Sequence, residues 1–193
     1  MHSLYKLSII ISLLAIVNIY SASSVSANDQ TMSGSIASGY SALKIFLEDE
    51  QYLTTIRRTK MVFTFSDISD HSKKLIDDIA SSSEQALIEL EVFAQQKPVL
   101  VFEDFSEQQI AKATLDSLRM ETAKEFLFET DDFEKNLLLS QLKVLPVISH
   151  LAEQLEKKES NQRRKAWLNK LAKQYDDYYQ QVDDSISLAS PKV

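Results

Sequence analysis

The sequence predicts an all-α fold, an antiparallel four-helix bundle with an additional C-terminal helix. The first observation is a near absence of helix-breaking residues, because 193 residues include only two glycines and three prolines. The second is a run of apolar residues at helical spacing over residues 66–96, about eight turns at 3.6 residues per turn. Only other helices of similar length can bury such a stripe, so we expect a bundle.

The composition excludes several classes of protein. No glycine follows Gly39, so most of the chain has no glycine-rich phosphate loop, dinucleotide fingerprint or nucleophile elbow. A formal net charge of −7 argues against a nucleic-acid partner. Cysteine is absent, which removes disulfides, thiol nucleophiles and cysteine–zinc sites.

Residues 1–27 have the pattern of a secretory signal peptide. Lys6 precedes an apolar segment at 7–20, and Val25-Ser26-Ala27 fits a cleavage site. The apolar segment is short for a membrane span of about 20 residues. We therefore expect cleavage after Ala27, a periplasmic or secreted product and no stable membrane insertion afterwards. The alternative is an uncleaved anchor that carries a sensor module.

Two helices are predicted in the first half of the remaining chain, after a flexible lead-in at 28–35. The first covers 36–60, with 65 as its furthest end, and Glu50 and Arg58 lie on or beside its inward stripe. The second begins after Ser66 or Ser69 as N-cap and ends before Pro98. The inward residues of the first helix include Tyr40, Leu43, Leu47 and Met61, and those of the second include Ser72, Leu75, Ile76, Ile79, Ser83, Ala86 and Leu90.

Three further helices complete the predicted bundle domain, residues 36–188, and residues 189–193 form a frayed tail. Capping boxes at 106–109 and 131–134 predict helices over 106–128 and 131–158. Pro146 lies on the outer face of the fourth helix, so we expect a kink there and no break. The fifth helix begins after Ser160 as its cap, with Arg164 and several aromatic residues on its inward side.

One segment resembles a known family. Leu145-Pro146-Val147-Ile148-Ser149-His150-Leu151-Ala152-Glu153-Gln154-Leu155 is similar to the closing helix of exported bacterial proteins of unknown function, whose pattern is Leu-Pro-x-Leu-x-x-His-Leu-x-x-Ala. Residues 79–98 resemble that family's second helix, although the histidine usual there is absent near Ser81–Ser83. The resemblance covers about residues 43–157. It implies a periplasmic, ferritin-like four-helix bundle and brings no established activity.

Inward-facing carboxylates are the candidate metal ligands. Glu50 on the first helix and Glu121 and Glu125 on the third lie on or near core-facing positions. Buried carboxylates are costly unless they are paired or bind metal, so these three predict a site for iron, manganese or zinc. The alternative is that they lie at the rim of the stripe or pair with Arg58, without any cofactor. The chain contains no Glu-x-x-His motif, and a standard di-iron site is therefore not expected.

The histidines and serines do not predict an enzyme. His150 is expected in solvent, and His71 is expected to pair with Asp67 or Asp70 or to lie at the surface. No serine has the context of a placed nucleophile with an oxyanion hole, so enzymatic activity is not predicted.

A protein partner is the other candidate for function. The predicted partner surface combines two aliphatic residues on the outer side of the second helix with aromatic residues on the fifth: Ile88, Val92, Trp167, Tyr175, Tyr178 and Tyr179. The alternative for the aromatic residues is core packing. We therefore expect an exported, non-enzymatic bundle that binds a protein or ligand, and a ferritin-like metal-binding or redox protein is the alternative.

Overall fold

The computed structural model describes residues 34–64, 68–103 and 133–189, together with Ser117. The described residues form α1 (Gly34–Glu50), α2 (Leu53–Thr64), α3 (Asp70–Ala94), α4 (Phe133–Lys158) and α5 (Gln162–Ala189), with no strand among them. The all-α prediction is confirmed for these ranges. The predicted signal peptide, the predicted helix at 106–128 and most of the predicted lead-in and tail lie outside the described residues.

The predicted first helix is interrupted at Gln51 and Tyr52, and this corrects the sequence-based prediction of one helix. The backbone N–H of Tyr52 donates to the carbonyl of Asp49 at 3.3 Å, so the last turn of α1 tightens before α2 begins. The side-chain amide of Gln51 donates to the carbonyl of Glu48 at 3.2 Å. That bond satisfies one of the carbonyls that a helix end leaves without a partner.

The interruption changes which face of α2 points inward. Leu53, Arg57 and Lys60 are buried, whereas Met61 is 39% exposed and Arg58 is exposed. The predictions for Met61 and Arg58 are therefore wrong, because two irregular residues shift the phase of the helical pattern. Before the interruption the predicted pattern is confirmed, since Tyr40, Leu43 and Leu47 are fully buried.

The N-terminus of α3 is capped as predicted. Ser69 is the N-cap, and its side-chain oxygen accepts from the backbone N–H of Ser72 at 3.3 Å. Glu134, predicted to close a capping box on its own helix, binds Ser69 and accepts from its N–H at 3.0 Å and its hydroxyl at 2.6 Å. This pair of bonds joins the start of α4 to the start of α3. The predicted inward residues are buried: Ser72, Leu75, Ile76, Ile79, Ser83, Ala86 and Leu90.

Helices α4 and α5 follow the predicted periodicity and differ from prediction at one cap. Pro146 lies within α4 and the helix continues through it, as predicted. The cap of α5 is Asn161 and not Ser160, because the Asn161 Oδ1 atom accepts from the N–H of Arg163 at 3.0 Å and of Arg164 at 3.1 Å. The helix predicted as an addition to the bundle, α5, forms one side of the hydrophobic core, because its residues Leu168, Tyr175 and Val182 are completely buried.

Contacts at the two ends relate α3 to α5. His71, near the start of α3, lies 3.1 Å from Ser185 near the end of α5. Phe93, near the end of α3, packs on Trp167 near the start of α5 with ring centroids 5.5 Å apart. The two helices therefore lie side by side over most of their length. None of the described helices combines the length and apolar character that a membrane crossing requires.

Candidate functional site

Four buried polar side chains, one from each of four helices, form two pairs inside the bundle. Glu50 on α1 is 4% exposed, Gln141 on α4 is 1% exposed, and Ser83 on α3 and Tyr175 on α5 are fully buried. We call these four residues the polar centre. Gln141 hydrogen-bonds Glu50, and the Tyr175 hydroxyl lies 2.5 Å from the Ser83 hydroxyl. Burial is the main cause of the raised pKa of Tyr175, and the charge of the Glu50 carboxyl adds to it.

The direction of the Ser83–Tyr175 hydrogen bond follows from the hydrogens that each group has. Ser83 donates its only hydroxyl hydrogen to the carbonyl of Ile79 at 3.0 Å. Tyr175 must therefore donate to Ser83. Burial raises the pKa of the Tyr175 hydroxyl well above its usual range, so Tyr175 remains a neutral donor.

Glu50 is the unusual member of the polar centre. Burial, with a further contribution from the neighbouring Asp49, raises the pKa of Glu50 to about 8, against the opposing effect of its hydrogen bond with Gln141. The Oε2 atom of Glu50 and the Oε1 atom of Gln141 have no hydrogen-bond partner. Buried oxygens without a donor are rare in folded proteins and usually indicate a proton, an ion or a water molecule.

The predicted metal site is only partly within the described residues. Glu50 is buried as expected for a core-facing carboxylate, whereas Glu121 and Glu125 lie outside the described ranges. Within those ranges no three His, Cys, Asp or Glu side chains are grouped to hold a metal ion. The polar centre itself supplies one carboxyl, one amide and two hydroxyl groups. The iron, manganese or zinc site thus stays a prediction.

Neither described histidine belongs to the polar centre. The Nε2 atom of His71 lies 3.1 Å from the Ser185 hydroxyl, and Ser185 donates its hydrogen to the carbonyl of Gln181 at 2.6 Å. His71 is therefore the donor to Ser185. His150 is exposed as predicted, with its Nδ1 atom 3.6 Å from the Glu153 carboxylate.

A groove of about 210 Å³ lies at the surface between α3 and α5. Ala86, Leu171 and Trp167 supply its apolar lining. We call this groove, together with the exposed residues Ile88 and Val92 of α3 beside it, the α3–α5 seam. Its other lining residues are polar: Ser81, Ser82, Gln85, Glu89, Lys170 and Gln174.

A chain of hydrogen bonds fixes one end of the groove. The Gln174 amide donates to the Ser82 hydroxyl at 3.0 Å, and the Ser82 hydroxyl lies 2.6 Å from the Tyr178 hydroxyl. Tyr178 in turn donates to the carbonyl of Asp78 at 3.3 Å. Either hydroxyl of the Ser82–Tyr178 pair can be the donor, and the Gln174 amide donates to this pair. The chain therefore holds Gln174 in one orientation at the groove.

The structure separates the six residues of the predicted partner surface. Ile88 and Val92 are 53% and 62% exposed. Trp167 and Tyr175 are buried, and Tyr178 and Tyr179 are partly buried against the core. Of the six predicted residues, the two with large exposed apolar side chains, Ile88 and Val92, therefore both lie on α3. Since nothing tests partner binding itself, the partner surface stays a prediction.

Sequence reasoning missed Gln141, Ser83 and Gln174 as site residues. Gln141 and Ser83 carried a usable signal, because both are polar residues at inward positions of an apolar stripe. Nothing in the sequence marked Gln174 as a site residue, since glutamine is common at the exposed edge of a helix.

At the other end of the bundle, Arg164 and Glu159 form a completely buried ion pair. The guanidinium group contacts both oxygens of the carboxylate, and Tyr40 donates to Glu159 Oε2 at 2.5 Å. The remaining guanidinium nitrogen donates to backbone carbonyls that follow α3: Phe93, Gln96 and Pro98. With all these groups satisfied, the pair has a structural role.

The fold and these regions define a helical-bundle protein with an internal polar centre and a surface groove. No protein-family model, curated protein or solved structure matches the chain.

Proposed function

We propose that this chain is an exported, non-enzymatic helical-bundle protein that acts by binding a partner along the α3–α5 seam. The observation that carries the proposal is the position of the exposed aliphatic residues Ile88 and Val92 directly beside a groove. At about 100° per residue, both side chains lie within about 40° of Ser81 on α3, next to the wall that lines the groove. Export rests on the signal-like pattern of residues 1–27.

Charge around the aliphatic strip defines the chemistry of the partner. On the helical wheel Glu84 and Glu91 border Ile88 and Val92 on one side, and Glu89 borders them on the groove side. Lys170 lies on the opposite, α5 wall. A strip of aliphatic side chains bordered by carboxylates complements an amphipathic helix whose apolar stripe is bordered by Lys or Arg. The Lys or Arg residues of the partner helix therefore contact the carboxylates of α3 and lie away from Lys170 of α5.

A pair of synthetic helices tests this surface. We expect an amphipathic leucine–lysine peptide to bind the folded chain more tightly than a leucine–glutamate peptide with the same leucine spacing. The double variant Ile88→Ser/Val92→Ser should lose about tenfold in affinity for the lysine peptide, which corresponds to about 1.4 kcal/mol. Isothermal titration calorimetry measures both affinities.

The control variant is Val62→Ser on α2, where the parent side chain is 65% exposed, so one exposed aliphatic side chain is lost away from the seam. It should bind like the parent chain. Equal affinity of the parent and the Ile88→Ser/Val92→Ser variant for the lysine peptide, or no preference between the two peptides, would contradict the proposal.

We further propose that the bundle is ferritin-like in its connectivity. Support comes from the contact between Ser69 and Glu134, which brings the starts of α3 and α4 together. The contacts of Arg164 bring their ends together, because it binds both the backbone after α3 and Glu159 after α4. Parallel neighbours of this kind are what the single long crossover of ferritin-like folds produces.

Cross-linking tests this connectivity, since the natural chain contains no cysteine. A Ser69→Cys/Glu134→Cys variant should form an intramolecular link with a short bis-maleimide reagent, which peptide mass spectrometry detects. A Ser69→Cys/Lys158→Cys variant places the second thiol at the opposite end of α4 and should not link within one chain. Efficient linking of the second pair would rule out parallel α3 and α4 helices.

A further inference from the structure

The large exposed apolar side chains of the described residues number six, and four of them lie on two helices. Met61 and Val62 of α2 are 39% and 65% exposed, and Ile88 and Val92 of α3 belong to the seam. The remaining two lie outside the described helices. The chain therefore presents a second exposed apolar patch, on α2, in addition to the seam.

The exposed patch on α2 carries a positive charge. Arg58 is exposed, and at about 100° per residue Met61 and Val62 lie within about 60° of it, one on each side. The sequence of α2 contains no Asp or Glu. We call Arg58, Met61 and Val62 the α2 face. An apolar helix surface with a basic residue is the kind of partner proposed for the seam.

The strip of α3 in the seam has the opposite charge. Glu84 and Glu91 border Ile88 and Val92, and both are exposed. Pairing two α3 strips would bring carboxylates together, and pairing two α2 faces would bring guanidinium groups together. Because like charges repel, the charges favour a contact between one α2 face and one α3 strip.

Contacts within one chain show that the same side of α3 accepts α2. Arg57 of α2 lies 3.8 Å from Asp77 of α3, and the Thr54 hydroxyl donates to Asp77 at 2.8 Å. Asp77 and Ile88 are 11 residues apart, so they lie within about 20° of each other on the helical wheel and about 16 Å apart along the axis. The strip in the seam therefore continues the surface of α3 on which α2 of the same chain packs.

We infer that the partner of the α3–α5 seam is the α2 face of a second copy of this chain, an inference that rests on the proposed function. The contact is heterologous, so each copy keeps one α2 face and one seam for further copies. Two apolar side chains from each copy are far fewer than the about 20–30 residues a side of a stable complex. The formal net charge of −7 on each chain also opposes association. We therefore expect a weak contact, with a Kd on the order of 100 µM.

Sedimentation equilibrium of the exported, folded chain between about 10 µM and about 1 mM tests the inference. The average mass should rise above that of the monomer as the concentration increases. The variants Met61→Ser/Val62→Ser and Ile88→Ser/Val92→Ser should each remain monomeric and keep their helical circular dichroism. The matched control is Val101→Ser, which removes a valine that is 62% exposed outside both patches and should associate like the parent chain.

A mixture of the two double variants provides the second measurement. Met61→Ser/Val62→Ser retains its seam, and Ile88→Ser/Val92→Ser retains its α2 face. An equimolar mixture should therefore form a 1:1 complex, although neither variant associates alone. Misfolding of either variant cannot produce this result. A parent chain that stays monomeric over the whole range, or a mixture that does not associate, would overturn the inference.

The leucine–lysine peptide separates this inference from the proposed function. It should bind the seam of the Met61→Ser/Val62→Ser variant, in which no second copy competes for the seam. Binding of the peptide by a parent chain that never self-associates would overturn only the second copy as partner. Absence of peptide binding would contradict the proposed function itself. The peptide titrations use concentrations at which the parent chain is a monomer, so Val62→Ser remains their control.

Discussion

Replacing Arg164 with methionine should lower the free energy of unfolding by about 3–5 kcal/mol, the range for removing one partner of a buried ion pair. The side chains of Arg164 and Glu159 are both completely buried. The substitution leaves the Glu159 carboxylate without its counter-charge in a site that water does not reach. It also removes the donor to the carbonyl of Pro98 at 2.8 Å. Since a domain's whole stability is about 5–15 kcal/mol, partial unfolding is expected.

The large expected effect follows from how many segments meet at this ion pair. Tyr40 of α1 donates to Glu159, which lies in the turn between α4 and α5. Asn161, the cap of α5, donates to the carbonyl of Lys97 at 2.9 Å. Three separate parts of the chain therefore depend on the same buried charges. Their loss should act on the whole bundle rather than on one helix.

Urea unfolding, monitored by circular dichroism and by fluorescence of the single tryptophan, measures the change. The matched control is Arg163→Met, because Arg163 is an exposed neighbour and its loss should cost less than about 0.5 kcal/mol. A double variant, Arg164→Met/Glu159→Gln, should recover part of the loss because no unpaired charge remains. A single-variant loss below about 1 kcal/mol would show that the buried pair is not a major source of stability.

The folded chain should also lose stability as the pH rises from about 4.5 to about 8, because of Glu50. In the unfolded chain Glu50 releases its proton near its ordinary pKa of 4.5, whereas in the folded chain its pKa is about 8. Between these values the folded state binds one proton more than the unfolded state, so raising the pH favours unfolding. Below this window the contribution is fully present, and above it the contribution is lost.

The size of this effect is about 1.4 kcal/mol per pH unit, or about 5 kcal/mol across the window. Glu134 acts in the opposite direction, since its hydrogen bonds to Ser69 and Ser72 hold the pKa of Glu134 below its usual range despite partial burial. The contribution of Glu134 is therefore lost as the pH falls. Comparison with a variant that lacks only Glu50 separates the two groups.

Urea unfolding of the parent chain and of Glu50→Gln at pH values from about 5 to about 9 gives the measurement. The variant should lack the Glu50 contribution, so the stability difference should shift in its favour by up to about 1.4 kcal/mol per unit between pH 5 and 8. Glu153→Gln serves as the exposed control and should follow the parent chain. Parallel curves for the parent chain and Glu50→Gln would show that Glu50 ionises at the same pH in both states.

Local patterns in the amino-acid sequence were enough to locate most of the helices and their buried faces. The stripes of α3 and α5 and the N-cap Ser69 follow from residue spacing and from the capping preference of serine. The continuity of α4 through Pro146 was also predictable, because the proline lies on the outer face. These features depend on residues a few positions apart, so one sequence contains the information.

Tertiary contacts decided the features that pair distant residues. Glu134 has the spacing of a capping box on its own helix, α4. In the folded chain it lies beside Ser69 and hydrogen-bonds the start of α3 instead. Likewise, Glu50 was recognisable as a core-facing carboxylate, but its pairing with Gln141 joins positions far apart in the chain. The interruption at Gln51 and Tyr52 decided that Arg57 rather than Arg58 faces inward. Helical periodicity defines one face of each helix, whereas the pairing of those faces depends on how the helices pack together.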